Sequence, residues 1–218
     1  MAVEIKSLSL VRGIAGFCIQ DQPAIQTGAT RDGYFYEGVP VSPGFRMIRE
    51  PSYAYCVMLD LGDGATVLGD CLTVVDIGYA GRTLPLRHED IDDVERLLQT
   101  SLEGKAFTSF KSAAAALDAI ALPKAISNPV AYGVSQALLA AQAHSGRMTM
   151  TEVIRREFGI NRPLVLPGFA TACEGDWHAN VDKVIARRVA MFPHCGIQRK
   201  DDLDRLPEYR SEEHTSEL

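Results

Sequence analysis

His194 stands in an apolar run, Phe192-Pro193-His194-Cys195-Gly196-Ile197. An imidazole exchanges its proton near neutral pH, so a histidine held there can work as an acid or a base. A hydrogen-bonded core histidine has the same surroundings, and the residues alone leave both readings open. Four carboxylates, Asp60, Asp63, Asp70 and Asp76, gather around Gly62-Asp63-Gly64. Their spacing matches no EF-hand loop, and turn or surface duty accounts for them. Glu89, Asp90, Asp92 and Asp93 open a helical pattern, where carboxylates suit the positive end of the helix dipole. Gly78 to Arg82 is glycine-rich without being a Walker or dinucleotide fingerprint, and reads as a plain loop. Trp177 and His178 are an aromatic and an ionisable side chain that could contact a substrate.

The composition narrows the classes these residues can serve. Among 218 residues the charged share is 23% and the hydrophobic share 46%, the balance of a globular protein. A net charge of −6 leaves no excess of Lys and Arg to neutralise phosphates, which excludes a nucleic-acid binder. No apolar run is long enough to span a bilayer, and the N-terminus lacks the apolar core of a signal peptide, so no membrane is expected. Cys18, Cys56, Cys71, Cys173 and Cys195 are odd in number and include no CxxC pair. A reducing, cytoplasmic setting fits them better than a disulfide scaffold or zinc site.

The elements that must position these residues follow from periodicity. Val3 to Leu10 alternates as a half-buried strand does. Tyr53 to Leu61 and Ala65 to Leu72 are β-rich runs joined by an Asp-Gly turn, a strong hairpin signal. Residues 18–46 read as one long ordered loop around Asp32-Gly33-Tyr34-Phe35-Tyr36-Glu37-Gly38. Helical spacing then takes over: Ile91, Val94, Leu97 and Leu98 share a face ending near Gly104. Further helices are expected over Ala113 to Leu122, Val130 to His144, and from a Thr149–Glu152 capping box to Phe158. Three strands followed by helices indicate an α+β domain. A strand over Pro163 to Ala170, a helix over Val181 to Val189 and a second apolar run, Met191 to Ile197, begin a parallel α/β pattern. Arg210 to Leu218 matches the translation of a sequencing adapter and is set aside from fold reasoning, so the natural gene is expected to continue past Tyr209.

Several segments resemble the 3-methylaspartate ammonia-lyase (methylaspartase) family of the enolase superfamily. They are Gly16 to Gly38, Leu68-Gly69-Asp70-Cys71, Ala131 to Ala141, Met148 to Phe158, Asn180 to Ile185 and Phe192 to Ile197, in the family's order. The resemblance covers residues 1–209. It implies an α+β N-terminal enolase-like capping domain over residues 1–160. The beginning of a truncated (β/α) TIM-type barrel would follow over residues 161–209, with the scar at 210–218. It implies elimination of ammonia from 3-methylaspartate to give mesaconate, in glutamate degradation, by removing a proton next to a carboxylate over Mg2+. The metal ligands and the lysine base of the family lie on later strands than this chain contains. His194 matches the family histidine that faces the substrate from the side opposite that lysine, which turns the catalytic reading into the favoured one. The resemblance also implies an amino-dicarboxylate substrate and a homodimer at full length.

Two positions depart from the family pattern. Ala172 and Val75 stand about where it carries pocket glutamines, and an apolar side chain there removes hydrogen-bonding groups for a polar substrate. A dehydratase, racemase or lyase acting on another acid is therefore the alternative within the fold. A stand-alone, non-catalytic interaction domain is the alternative outside it.

Overall fold

The structure, a computed structural model, describes residues 2–73, 76–77, 84–124, 126–163, 165–170 and 184–190. Two compact units are present, Met1–Asn161 and Arg162–Leu218.

The first unit is a sheet backed by helices. Strand β1 (Val3–Asp21) pairs antiparallel with β4 (Arg49–Leu61), which pairs antiparallel with β5 (Thr66–Leu72) through the expected Asp-Gly hairpin. Val3, Ile5, Leu8 and Leu10 of β1 all point into the core. Strict alternation cannot bury both Ile5 and Leu8. A register shift against β4 between Ile5 and Ser7 supplies the extra residue and restores the inward direction. Two short strands complete the sheet: β6 (Asp76–Ile77), parallel to the end of β1, and β7 (Ala106–Phe107), antiparallel to its start. Neither is long enough to show a period.

Helices α2 (Ile91–Leu102), α3 (Phe110–Asp118), α4 (Ser127–Gly146) and α5 (Met150–Glu157) form the second layer. Ile91, Val94, Leu98 and Leu102 of α2 and Val130, Val134, Ala137, Leu138 and Ala141 of α4 join Tyr55, Val57, Leu59 and Cys71 in one core. Each large apolar side chain so buried contributes about 1.5–3 kcal/mol. Burial against α4 also pushes the Cys71 thiol up to about 12. The closest approach is between α4 and β5. A Cβ on Gly69 would lie 2.1 Å from the Gly133 carbonyl oxygen, and one on Gly133 would lie 2.5 Å from Cys71 Sγ. The segments 68–71 and 131–141 thus contain two glycines because helix backbone lies directly on strand backbone.

The capping box of α5 is present, with Glu152 N donating to Thr149 Oγ1 and Thr149 N donating to Glu152. Helix α3 begins and ends earlier than Ala113 to Leu122, because the Ser109 hydroxyl accepts from Ser112 N and fixes its start. Residues 18–46 are more structured than one loop. Cys18 to Asp21 complete β1, Gln22–Gln26 form helix α1, and Thr30–Asp32 pairs with Phe35–Glu37 as hairpin β2–β3.

In the second unit the described residues of the expected strand over Pro163 to Ala170, 163 and 165–170, carry no ladder, and Ala170 makes a single bridge. A strand needs a partner for its backbone groups, and the contact found here is Ala190 N donating to Phe169 O at 2.8 Å. Of the expected helix over Val181 to Val189, residues 181–183 lie outside the described residues; 184–186 are helical, and Arg188 stands at φ 52°.

Candidate functional site

One end of the sheet collects the polar, buried groups. Here β1 terminates, β4 begins, β5 ends, and the lobe of residues 22–48 leaves and returns. Asp21, the last residue of β1, is fully buried. Its Oδ2 accepts from the backbone N–H groups of Val41 (2.7 Å) and Ser42 (2.9 Å), and its Oδ1 from the Ser42 hydroxyl (2.6 Å). Oδ1 also caps α1 through Ala24 N at 3.4 Å. Burial pushes this carboxyl up. The hydrogen bonds from Ser42, Val41 and Ala24 together outweigh it and hold the group below its ordinary value. One carboxylate therefore fixes both the root and the far side of the lobe.

A second fastening lies at the lobe's return. Glu50 and Arg87 form an ion pair whose side chains are 5% and 11% exposed. The Arg87 guanidinium also donates to Gly44 O, and the Arg87 backbone carbonyl accepts from the Tyr55 hydroxyl. Arg46 pairs with Glu89 at 2.8 Å. Beside them Ser52 and Thr73, both buried, share a hydroxyl contact of 3.3 Å.

The lobe's tip is aromatic. Tyr34 and Phe35 sit at the β2–β3 turn, both at least half exposed, and Val39 and Val41 are exposed beyond it. Arg49 lies 4.8 Å from the Tyr34 ring centroid and 5.0 Å from that of Tyr36. It donates to Tyr34 O and to Gln20 Oε1, at 2.6 and 2.7 Å, and so ties the tip to the sheet. The tip is held in place by an arginine, not by a core.

The histidines in this unit are committed. His88 Nε2 lies 3.1 Å from Gly13 O and His144 Nε2 lies 2.8 Å from Asp63 Oδ2. The carboxylates around the hairpin serve the turn. Asp60 accepts from Ser7 and Thr66, and Asp63 accepts from Ala65 N and pairs with His144. At the head of α2, Asp92 pairs with Arg12 and Asp93 with Arg96. At the sheet's opposite end a cavity of about 1030 Å3 is lined by Glu4, Asp63, His144, Arg147, Thr149 and Glu152. Among the described residues no group of three or more His, Cys, Asp or Glu could hold a metal ion, so these residues do not fit an Mg2+ centre.

His194 lies outside the described residues, as do Ala172, Val75, Trp177, His178, Cys173, Cys195 and the segment from Gly78 to Arg82. The residues flanking position 75 are described. Thr73 is buried at the end of β5, and Asp76 pairs with Gln20 at the root of the lobe. Sequence reasoning did not single out Asp21, Glu50, Arg87 or Arg49. The only available signal for Asp21 was an acid closing an alternating strand, which is common at exposed strand ends.

The fold defines the class first. Muconate lactonizing enzyme from Pseudomonas putida superposes with a TM-score of 0.51 at 16% identity, covering 87% of this chain and 43% of that one. That likeness shows a shared α+β fold. The family model for the N-terminus of methylaspartate ammonia-lyase matches residues 3–159, and the chain belongs to the methylaspartate ammonia-lyase family. It is 36% identical to methylaspartate ammonia-lyase 1 of Carboxydothermus hydrogenoformans over 88% of this chain and 46% of that protein. The crystal structure of β-methylaspartase from Clostridium tetanomorphum, an Mg complex, superposes with a TM-score of 0.81 at 32% identity, covering 89% of this chain and 48% of that one. The Citrobacter amalonaticus enzyme containing (2S,3S)-3-methylaspartic acid does so with 0.81 at 34% identity, over 89% and 48%. The chain spans about half the length of the curated relatives it matches.

Proposed function

We propose that this chain is the N-terminal half of a cytoplasmic carbon–nitrogen lyase that eliminates ammonia from 3-methylaspartate to give mesaconate. The observation that carries the reading is the family match across residues 3–159, supported by relatives that bear this activity in their names. His194 takes the role of proton handler at the substrate carbon, which a histidine suits near neutral pH. The lobe of residues 22–48 presents its aromatic tip from a fixed root. Mg2+ enters through the Clostridium tetanomorphum structure, and its ligands are expected on residues other than those described here. The 218 residues span about half the length of those relatives and are expected to turn over no substrate by themselves.

Val75 and Ala172 favour a second reading, in which the same fold acts on a less polar or differently substituted acid. The test is the complete reading frame, expressed and assayed with Mg2+ against 3-methylaspartate and a panel of amino- and hydroxy-dicarboxylates. Mesaconate formation, lost on His194→Ala, is the expected result. Product from another acid only would establish the second reading, and no product from any member of the panel would overturn both.

A further inference from the structure

Strand β1 has an unequal pair of edges. On one side it pairs with β4 from Ile5 to Gln20. On the other side its strand partners among the described residues are β7 at Val3 and Glu4 and β6 at Gln20 and Asp21. Between those ends runs a long stretch of edge. An uncovered edge of this kind is a template for pairing with a strand of another molecule.

Helix α2 lies along that stretch and reaches into it with side chains. Leu8 N donates to Glu103 Oε1 at 2.7 Å, and Leu10 N donates to Glu95 Oε1 at 2.8 Å. Gln99 Nε2 donates to Leu8 O at 2.9 Å. Glu95 and Gln99 stand four apart on α2 and Glu103 caps its C-terminus four residues further on, so the three present acceptor, donor and acceptor in line. The row continues past the helix start, where His88 Nε2 meets Gly13 O at 3.1 Å. Backbone bonds close the lower end: Ile5 N donates to Lys105 O and Gly104 N to Ile5 O. Burial of Ile91, Val94, Leu98 and Leu102 holds the helix on the core, so the polar row needs no further support to stay in place.

We propose that α2 is an edge guard. The side chains of Glu95, Gln99 and Glu103 stand in for a neighbouring strand along β1 and keep the β1 strand of a second copy of this chain from adding there. The shared chemistry is a backbone N–H satisfied by a carboxylate in place of a carbonyl.

Amide exchange on the unmodified chain is the first test. Leu8 and Leu10 are expected to exchange as slowly as the β1–β4 ladder amides, and exchange at the rate of exposed amides would overturn the proposal. The pair Glu95→Met with Glu103→Met keeps length and helix preference but removes the acceptors. It is expected to speed exchange at Leu8 and Leu10 by roughly tenfold or more, the factor the loss of one hydrogen bond to a charged acceptor predicts. It is also expected to raise the concentration-dependent mass in light scattering above that of the parent chain at the same concentration. The pair Glu95→Gln with Glu103→Gln keeps an acceptor oxygen and should behave as the parent does. Parent-like exchange and association in the methionine pair would overturn the proposal. So would equal loss of folding in both pairs, because that would make the carboxylates structural for another reason.

Discussion

Between the helix-backed sheet and the lobe of residues 22–48 the kind of interaction that holds the chain changes. Under the helices, Tyr55, Val57, Leu59, Val94, Leu98, Val134 and Leu138 are buried to within a few per cent, and cohesion comes from apolar area and close packing. In the lobe the apolar side chains Tyr34, Phe35, Val39 and Val41 face outward, and order comes from Asp21, the Glu50–Arg87 pair and Arg49. A packed layer distributes its stability over many small contacts. The lobe concentrates it in a few charged groups, so the two regions should fail under different insults.

The packed layer should break most severely where it has no side chains to move. Gly133 lies within α4, where replacement by alanine would ordinarily gain about 1 kcal/mol of helix propensity. A Cβ there would sit 2.7 Å from Cys71 N and 2.7 Å from Asp70 C, both backbone atoms. The clash decides the sign. Gly133→Val is expected to cost at least about 3 kcal/mol or abolish folding, and Gly133→Ala to lower the denaturant midpoint clearly. A Gly133→Ala chain as stable as the parent would show that α4 and β5 are not in backbone contact.

The next effect belongs to the lobe. Arg87→Met leaves Glu50 buried without its partner, a loss of about 3–5 kcal/mol for an ion pair of this burial. The double variant Arg87→Met with Glu50→Leu removes the stranded charge and should recover much of that loss in the same urea titration. If the double variant is no better than the single one, Arg87 matters through the bond from its guanidinium to Gly44 O, and not through its charge.

How far each region was legible in the sequence follows the same division. Helix α2 could be read from Ile91, Val94 and Leu98, and the hairpin from Gly62-Asp63-Gly64, because periodicity and turn chemistry are local properties of the chain. The capping box at Thr149 was legible for the same reason. Asp21 was not. Its partners Val41 and Ser42 are twenty residues away through an irregular segment, and no local pattern marks a carboxylate that gathers distant backbone N–H groups. Strand β6 escaped because two residues have no period, and the bulge between Ile5 and Ser7 because it shows only as a break in alternation. The family's ordered segments pointed to the lobe as a unit. They did not show that Arg49 holds its tip between two tyrosines.

Acid gives the smallest of these effects and the most direct separation of the two regions. The Asp21 carboxyl is held below its ordinary value, so its stabilising contribution is present above the unfolded-state value, about 3.9, and is lost as pH falls through the lower folded-state value. The amides of Val41 and Ser42, which donate to it, should therefore lose exchange protection below about pH 4, while the ladder amides of Val57 and Leu59 keep theirs. Asp21→Asn supplies one acceptor oxygen where two are used and turns an amide NH2 toward donors. It should cost about 1–3 kcal/mol, confined to the lobe, and should abolish its acid dependence. If Val41 and Ser42 in Asp21→Asn still lose protection on the same acid titration as the parent, some other carboxyl holds the lobe and the fastening assigned to Asp21 is wrong.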